Sequence, residues 1–262
     1  MSATAAPDTG VLARFGLAGR VAIVTGVGPA MGRDFALALA EAGADVCVAA
    51  RSRTVIDEVA DAVREKGRRA LAVTCDVSDS AAVDDLVART VSELGRLDVM
   101  CNHAAGRDPQ LPIEELTDEH WHEVIDATLS SVFYGTRAAS RVMIAQGDGG
   151  SIINTSSICS VGQVPGHMIV YSTAKAAVNH FTRYMAGELA PHGIRVNAIL
   201  PGVFGVARVP QAVQEWLDAT ILLRRRGRSD EVAPALLYLA SDASSYVTGE
   251  TLLVSGGAMA AG

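Results

Sequence analysis

Ser157, Tyr171 and Lys175 are the residues of this chain whose types and spacing could do chemistry. Tyr171 and Lys175 stand four apart in the run YSTAK, and residues at i and i+4 share one face of a helix. A phenol ordinarily loses its proton near a pKa of about 10. A fixed positive charge a few ångströms away favours the phenolate and lowers that value. Tyr171 is therefore expected to trade a proton with a substrate oxygen near neutral pH. Ser157, closing the apolar run GSIINTSS, is placed to hold that oxygen by a hydrogen bond. The Tyr-x-x-x-Lys spacing alone also occurs by chance in ordinary helices, with the tyrosine half-buried and the lysine in water. A hydrolase could instead use Ser157 with His167, or Cys159 as nucleophile, but no Gly-x-Ser-x-Gly elbow surrounds Ser157.

The elements that must position these groups follow from the alternation of apolar runs with helical patterns. Strands are predicted at 20–26, 44–50, 69–75, 97–103, 150–157, 194–200 and 251–256. Helices are predicted at 31–42, 54–66, 79–94, 118–146, 171–189 and 229–239, with Gly43, Gly67 and Gly95 as stops. The run LTDEHW suits an N-terminal cap for the long helix, and Ser229-Asp230-Glu231 suits the positive end of the last one. Strands apolar on both faces that alternate with helices predict an α/β fold, a parallel sheet covered on two sides and doubly wound by right-handed crossovers. The least regular stretches, Gly106–Pro112 and Gly202–Gly227, both follow strand ends, where such folds bind ligands.

Composition narrows the classes. The 262 residues suffice for one large domain, and 49% hydrophobic with 19% charged residues fits a globular chain. A net charge of −7 argues against a general nucleic-acid binder. No apolar stretch reaches the roughly 18–20 residues that span a bilayer, so no membrane partner is expected. Residues 1–18 lack the apolar core of a signal peptide and read as a flexible lead-in to a single domain at 19–262. Cys47, Cys75, Cys101 and Cys159 form no Cys-x-x-Cys pair and no zinc-like cluster, so no metal site is expected. Free buried thiols point to a reducing, cytoplasmic compartment.

A dinucleotide site is suggested by TGVGPAMG, Thr25–Gly32, which follows the first strand and opens the first helix. Glycines there let the backbone approach a pyrophosphate, and the helix N-terminus supplies amide donors and a positive dipole. An ordinary glycine-rich turn would look similar. About twenty residues on, the second strand ends in Ala50 and Arg51 where a carboxylate would grip a ribose 2′-hydroxyl. An arginine and no carboxylate favour NADP(H) over NAD(H), although Arg51 could also stack on adenine in either. Asp76, in CDVSD, could accept from an adenine amino group or cap the helix that follows.

From about Gly19 to its end the chain resembles a classical short-chain dehydrogenase/reductase. The resemblance rests on TGVGPAMG, CDVSD, CNHAAG, Ser157 with YSTAK, RVNAILPG, RGRSDEVA and YVTGETLLVSGG, in this order. It implies a Rossmann-type sheet of seven strands in the order 3-2-1-4-5-6-7, and NAD(P)-dependent hydride transfer between a nicotinamide and a small alcohol or ketone. It also implies a homotetramer, a dimer of dimers. Helices 118–146 and 171–189 carry many small or apolar residues and could pair across a dyad, or simply cover their own sheet. Carried over by residue, Tyr171 matches the catalytic acid/base, Lys175 the residue that acidifies it and holds the ribose, and Ser157 the residue that polarises the carbonyl. Gly26, Gly28, Met31, Gly32, Arg51, Asp76, Val77, Asn102, Ala104, Pro201 and Gly202 are the implied cofactor contacts, and Asn197 matches a structural position.

The chain departs from the family pattern at several points. Ala30 replaces the middle glycine of the turn, where its methyl could narrow the phosphate cradle. His103 replaces an asparagine, as a structural exchange or as a second proton carrier. Thr128 stands where a relay asparagine is usual and is a candidate proton path through water. Val206 replaces a threonine that meets the carboxamide, and the interval from Ser157 to Tyr171 is one residue longer than common. These changes admit an alternative reading, a cofactor-binding protein with little turnover and a regulatory or scaffolding role. A loop at about 203–227 is expected to shape the substrate pocket, with Trp216 and Leu217 as lining. The cluster Arg224-Arg225-Arg226 could attract an anionic substrate or be a solvated face.

Overall fold

Seven parallel strands in the order β3-β2-β1-β4-β5-β6-β7 form the centre of the computed structural model, as the resemblance implies. The structure describes residues 10–205, 209 and 211–260. In chain order the elements are β1 Val21–Thr25, α1 Met31–Glu41, β2 Asp45–Ala50, α2 Arg53–Glu65, β3 Ala70–Thr74 and α3 Ser80–Leu94. There follow β4 Val99–Asn102, α4 Asp118–Ile125, α5 Ser131–Gln146, β5 Gly150–Thr155, α6 Ile169–Leu189 and β6 Ile194–Pro201. The last are α7 Gln211–Thr220, α8 Ala233–Ala240 and β7 Thr251–Val254.

β1 is buried at every position because helices cover both faces of the sheet. One core lies between the sheet and α1, α2 and α8 and includes Phe35, Leu39, Ile56, Val59 and Leu236. The other lies under α3, α5 and α6 and includes Leu86, Met100, Met143, Ile152 and Val196. A third, small cluster joins Leu217, Ile221 and Ala258. Local sequence sets the helix ends: Asp79 caps α3 by accepting from the Ala81 amide, and Gly95 closes it in the left-handed conformation. Thr117 and His120 form a reciprocal capping box at α4. All four cysteines are free and buried, and burial pushes the thiols of Cys47 and Cys101 up to about 12.

Four departures from the predicted elements have physical causes. The helix expected to run unbroken from 118 to 146 is interrupted by a π turn, Asp126–Ser130, in which the Ser131 amide reaches back to the Asp126 carbonyl. Side chains there compete with the backbone: Ser131 Oγ donates to the Ala127 carbonyl and Ser130 Oγ to Asp126 Oδ1. The stretch expected as irregular loop contains α7, whose apolar Val213, Trp216 and Leu217 recur at helical spacing. The helix expected at 229–239 divides into a 3₁₀ turn at Ser229–Glu231 and α8, which carries Pro234 in its first turn. The lead-in is fixed from Val11, because Val11–Phe15 form a 3₁₀ turn and Leu17 is buried in the first core; residues 1–9 lie outside the described residues.

Candidate active site

Every strand that could carry a ligand residue ends on the same edge of the sheet, as parallel order requires. A cavity of about 1360 Å³ opens along that edge, larger than the roughly 300–1000 Å³ of a pocket for one small ligand. Its walls include Gly26, Val27 and Met31 behind β1, Arg51 and Ser52 behind β2, and Asp76 and Val77 behind β3. His103–Arg107 follow β4, Thr155–Ser157 end β5, Tyr171 and Lys175 project from α6, and Pro201 and Gly202 end β6.

The glycine turn is built for close approach. Gly26 has φ +69°, and a Cβ there would lie 2.5 Å from the Ala104 Cα. Thr25 Oγ1 ties the turn to the end of β4 by accepting the amides of His103 and Ala104. A Cβ on Gly32 would lie 2.9 Å from the Val27 Cα, so this glycine lets α1 pack against the turn and does not itself line the cavity. Gly28 has open space around it and does not line the cavity either. Ala30 is exposed at the start of α1 and is not among the residues that line the cavity. Gly202 is required because a Cβ would meet the Ser255 Cα at 2.7 Å. The turn, the N-terminus of α1 and the strand ends together fit an elongated dinucleotide.

Asp76 accepts from both the amide and the hydroxyl of Ser78, which with the nearby charge of Arg51 hold its carboxyl below the usual range. It caps no helix, since Asp79 does that for α3. Asn102 does not line the cavity: its amide turns inward to Asn154 Oδ1 at 2.9 Å and Thr136, beneath Gly135. His103 packs its ring edge-on to Phe35 and meets Thr155 Oγ1 at 3.2 Å. Burial, helped by the charge of Lys175, pushes it down to about 4, so the ring is neutral at neutral pH.

Ser157, Tyr171 and Lys175 converge on one wall. Ser157 is buried; its Oγ accepts from the Cys159 amide at 3.2 Å and its carbonyl accepts from Ser160 Oγ. The residues between it and Tyr171 include Gly166 and His167 in left-handed conformations, which accommodate the long interval. No hydrogen bond joins Ser157 to a histidine among the described residues, and His167 is exposed outside the lining, so the hydrolase arrangement is not assembled. Lys175 is 1% exposed and donates to the Thr155 carbonyl, with Nζ 5.4 Å from the centroid of the Tyr171 ring. Burial pushes Lys175 down to about 7. It pushes Tyr171 up to about 12, with Cys159 adding to the rise and the Ser157 hydroxyl opposing it. Burial thus holds the phenol above its ordinary value, where the spacing alone led us to expect a lowering by the neighbouring ammonium.

Thr128 is wholly buried in the π turn, where Oγ1 accepts the Gly106 amide at 2.9 Å, and it does not line the cavity as a relay would. Trp216 and Leu217 turn into the small third core with Ile221 and Ala258, away from the cavity. Arg225 pairs with Glu231 at 2.7 Å, Arg224 donates to the Asp218 carbonyl and Arg226 to Gln214, so the arginine run braces its own loop. Val206 lies outside the described residues. Two features were missed. Glu119, His122, Glu123 and Asp126 line the cavity from one face of the α4 region, a spacing legible in DEHWHEVID. Asp108, 6% exposed, accepts the Tyr171 amide at 2.8 Å. Its only sequence signal is the lack of a capping residue before α6.

A family model described as enoyl-(acyl carrier protein) reductase matches residues 26–259. The short chain dehydrogenase/reductase astE of Aspergillus oryzae is 41% identical over 259 residues, covering 95% of this chain and 98% of its own. The cis-4-hydroxycyclohexanecarboxylate dehydrogenase of Sinomonas cyclohexanicum is 41% identical over 242 residues, covering 91% and 96%. The structure of an NADPH-dependent 3-quinuclidinone reductase from Rhodotorula rubra superposes with a TM-score of 0.92 at 34% identity, covering 98% of this chain and 97% of that one. With its strand order, dinucleotide turn and Ser–Tyr–Lys wall, the chain belongs to the short-chain dehydrogenases/reductases and is an NAD(P)-dependent oxidoreductase acting on alcohol and carbonyl groups.

Proposed function

We propose that Tyr171 is the acid/base of a reversible alcohol–ketone oxidoreduction, with Ser157 and Lys175 as its partners. The convergence of phenol, hydroxyl and buried ammonium on one wall of the strand-end cavity carries this reading. A bound nicotinamide supplies or accepts hydride. In reduction Tyr171 gives its proton to the substrate oxygen, and a phenol held near 12 is protonated and ready to do so. Ser157 holds that oxygen as charge develops on it. Lys175, anchored on the Thr155 carbonyl, supports the phenol and the ribose hydroxyls. Tyr171→Phe should lower turnover on a panel of ketones and alcohols by about 10²–10⁴ while dinucleotide affinity stays. Full activity in that variant would refute the assignment.

The preferred dinucleotide is NADP(H). Arg51 lines the cavity at the end of β2, where Ala50 leaves no carboxylate to repel a 2′-phosphate. Arg51→Ala should weaken NADPH by roughly tenfold and leave NADH nearly unchanged; equal losses would refute the preference. The assembly is a homotetramer in the cytoplasm, supported by free buried cysteines and by Phe133 and Tyr184, 43% and 69% exposed on α5 and α6.

A further inference from the structure

We propose that Asp108 is a positioning residue for Tyr171, serving as the cap that helix α6 lacks in its own sequence. α6 begins at Ile169 behind Met168, which makes no side-chain capping bond. The first amides of a helix have no carbonyl of their own to meet, and a capping side chain usually takes one at the second or third position. Tyr171 is the third residue of α6, and its amide donates to Asp108 Oδ2 at 2.8 Å, across 63 positions of sequence. Asp108 Oδ1 takes the Gln110 amide at 2.9 Å, and Gln110 adopts φ 61° in the resulting tight turn. The carboxylate is nearly buried against the positive end of α6, which suits its charge.

The same loop is fixed at its other end. Gly106 donates its amide to Thr128 Oγ1 at 2.9 Å, and a Cβ on Gly106 would lie 2.9 Å from the Val124 Cα. Residues 106–110 thus bridge the π turn to the backbone of Tyr171. Ala104–Arg107 line the cavity, so this bridge sets the distance between the dinucleotide side of the cleft and the phenol. The inference rests on the reading of Tyr171 as acid/base. A misplacement of about 1 Å at a reacting group costs roughly a hundredfold in rate, which makes a cap at this amide a matter of turnover as well as of stability.

Hydrogen–deuterium exchange on the full chain, without dinucleotide or substrate, reads the bridge directly. In Asp108→Ala the peptide covering 168–175 should exchange about tenfold faster, with β5 unchanged. Asp108→Asn keeps one accepting oxygen and should fall between. With NADPH and a ketone that the wild type reduces, Asp108→Ala should lower kcat by about tenfold or more while NADPH Kd stays within about twofold, and Asp108→Asn should recover part of the rate. Asp79→Ala removes an ordinary cap from α3 and should lower the melting temperature comparably without lowering kcat. If Asp108→Ala fails to fold, Asp108→Asn carries both readouts, expected faster exchange and lower kcat. Unchanged exchange over 168–175, or wild-type kcat in a variant whose exchange is faster, overturns the proposal. Full rate in Tyr171→Phe would instead overturn the reading of the site, leaving the exchange result to stand by itself.

Discussion

Burial decides the charge states of the residues around the cleft. Tyr171, held near 12, is a phenol through the neutral range. Its ionised fraction rises about tenfold per pH unit below that value. Alcohol oxidation, which needs the phenolate, should therefore climb with pH; initial rates of oxidation check this, and a flat profile would contradict it. Lys175, Cys159 and Ser157 are the groups that act on or face this phenol. His103 gives a second test. Its folded value of about 4 lies below the ordinary 6.5, so between those values the unfolded chain binds more protons. Stability from this group is complete above about pH 6.5 and is lost as pH falls towards 4, by at most about 3 kcal/mol. Melting curves of His103→Asn should fall less across that window than those of the wild type. The sequence made Ser157, Tyr171 and Lys175 legible because spacing on one helix and one strand end is a local property. Their proton affinities were not legible, since burial arises from strands and helices far apart in the chain closing over them. Asp108 was hidden for the same reason, its partner lying beyond any local pattern.

Elements were read where one interaction dominates them. Buried apolar strands and glycine stops placed β1–β3 and α1–α3 within a residue or two. The α4–α5 region was read as continuous because its apolar pattern crosses the break, whereas the π turn comes from hydroxyls and a carboxylate that no periodicity reports. α7 was passed over because its apolar face meets a small core completed by the C-terminal Ala258. At the dinucleotide turn, Gly26→Ala should be poorly tolerated: the residue has positive φ and the new methyl would strike the Ala104 backbone. A loss of about 2 kcal/mol or more, with at least tenfold weaker dinucleotide binding, is expected from denaturation and titration. Near wild-type values for both would show that the turn can yield.

On the scale of the molecule, right-handed crossovers and two-sided burial were enough to foresee a doubly wound parallel sheet, while its strand order followed only from the family resemblance. The surfaces that would join subunits are less visible, because a helix face reads the same whether it meets its own sheet or a partner. Phe133 is exposed beside Phe181 with Arg137 over its ring at 5.0 Å, and Tyr184 is exposed on α6. Tyr184→Asp should halve the particle mass in light scattering; an unchanged mass would place the contact elsewhere. The three-residue core of Leu217, Ile221 and Ala258 has a separate consequence. Leu217 and Ile221 pack on Ala258, and Met259 joins them while crowding the space beside Gly162, so α7 is seated on the residues that follow β7. Ala258→Asp should loosen that seat, read as about tenfold faster amide exchange over 211–221 with β5 unchanged; unchanged exchange there would show that α7 is held elsewhere.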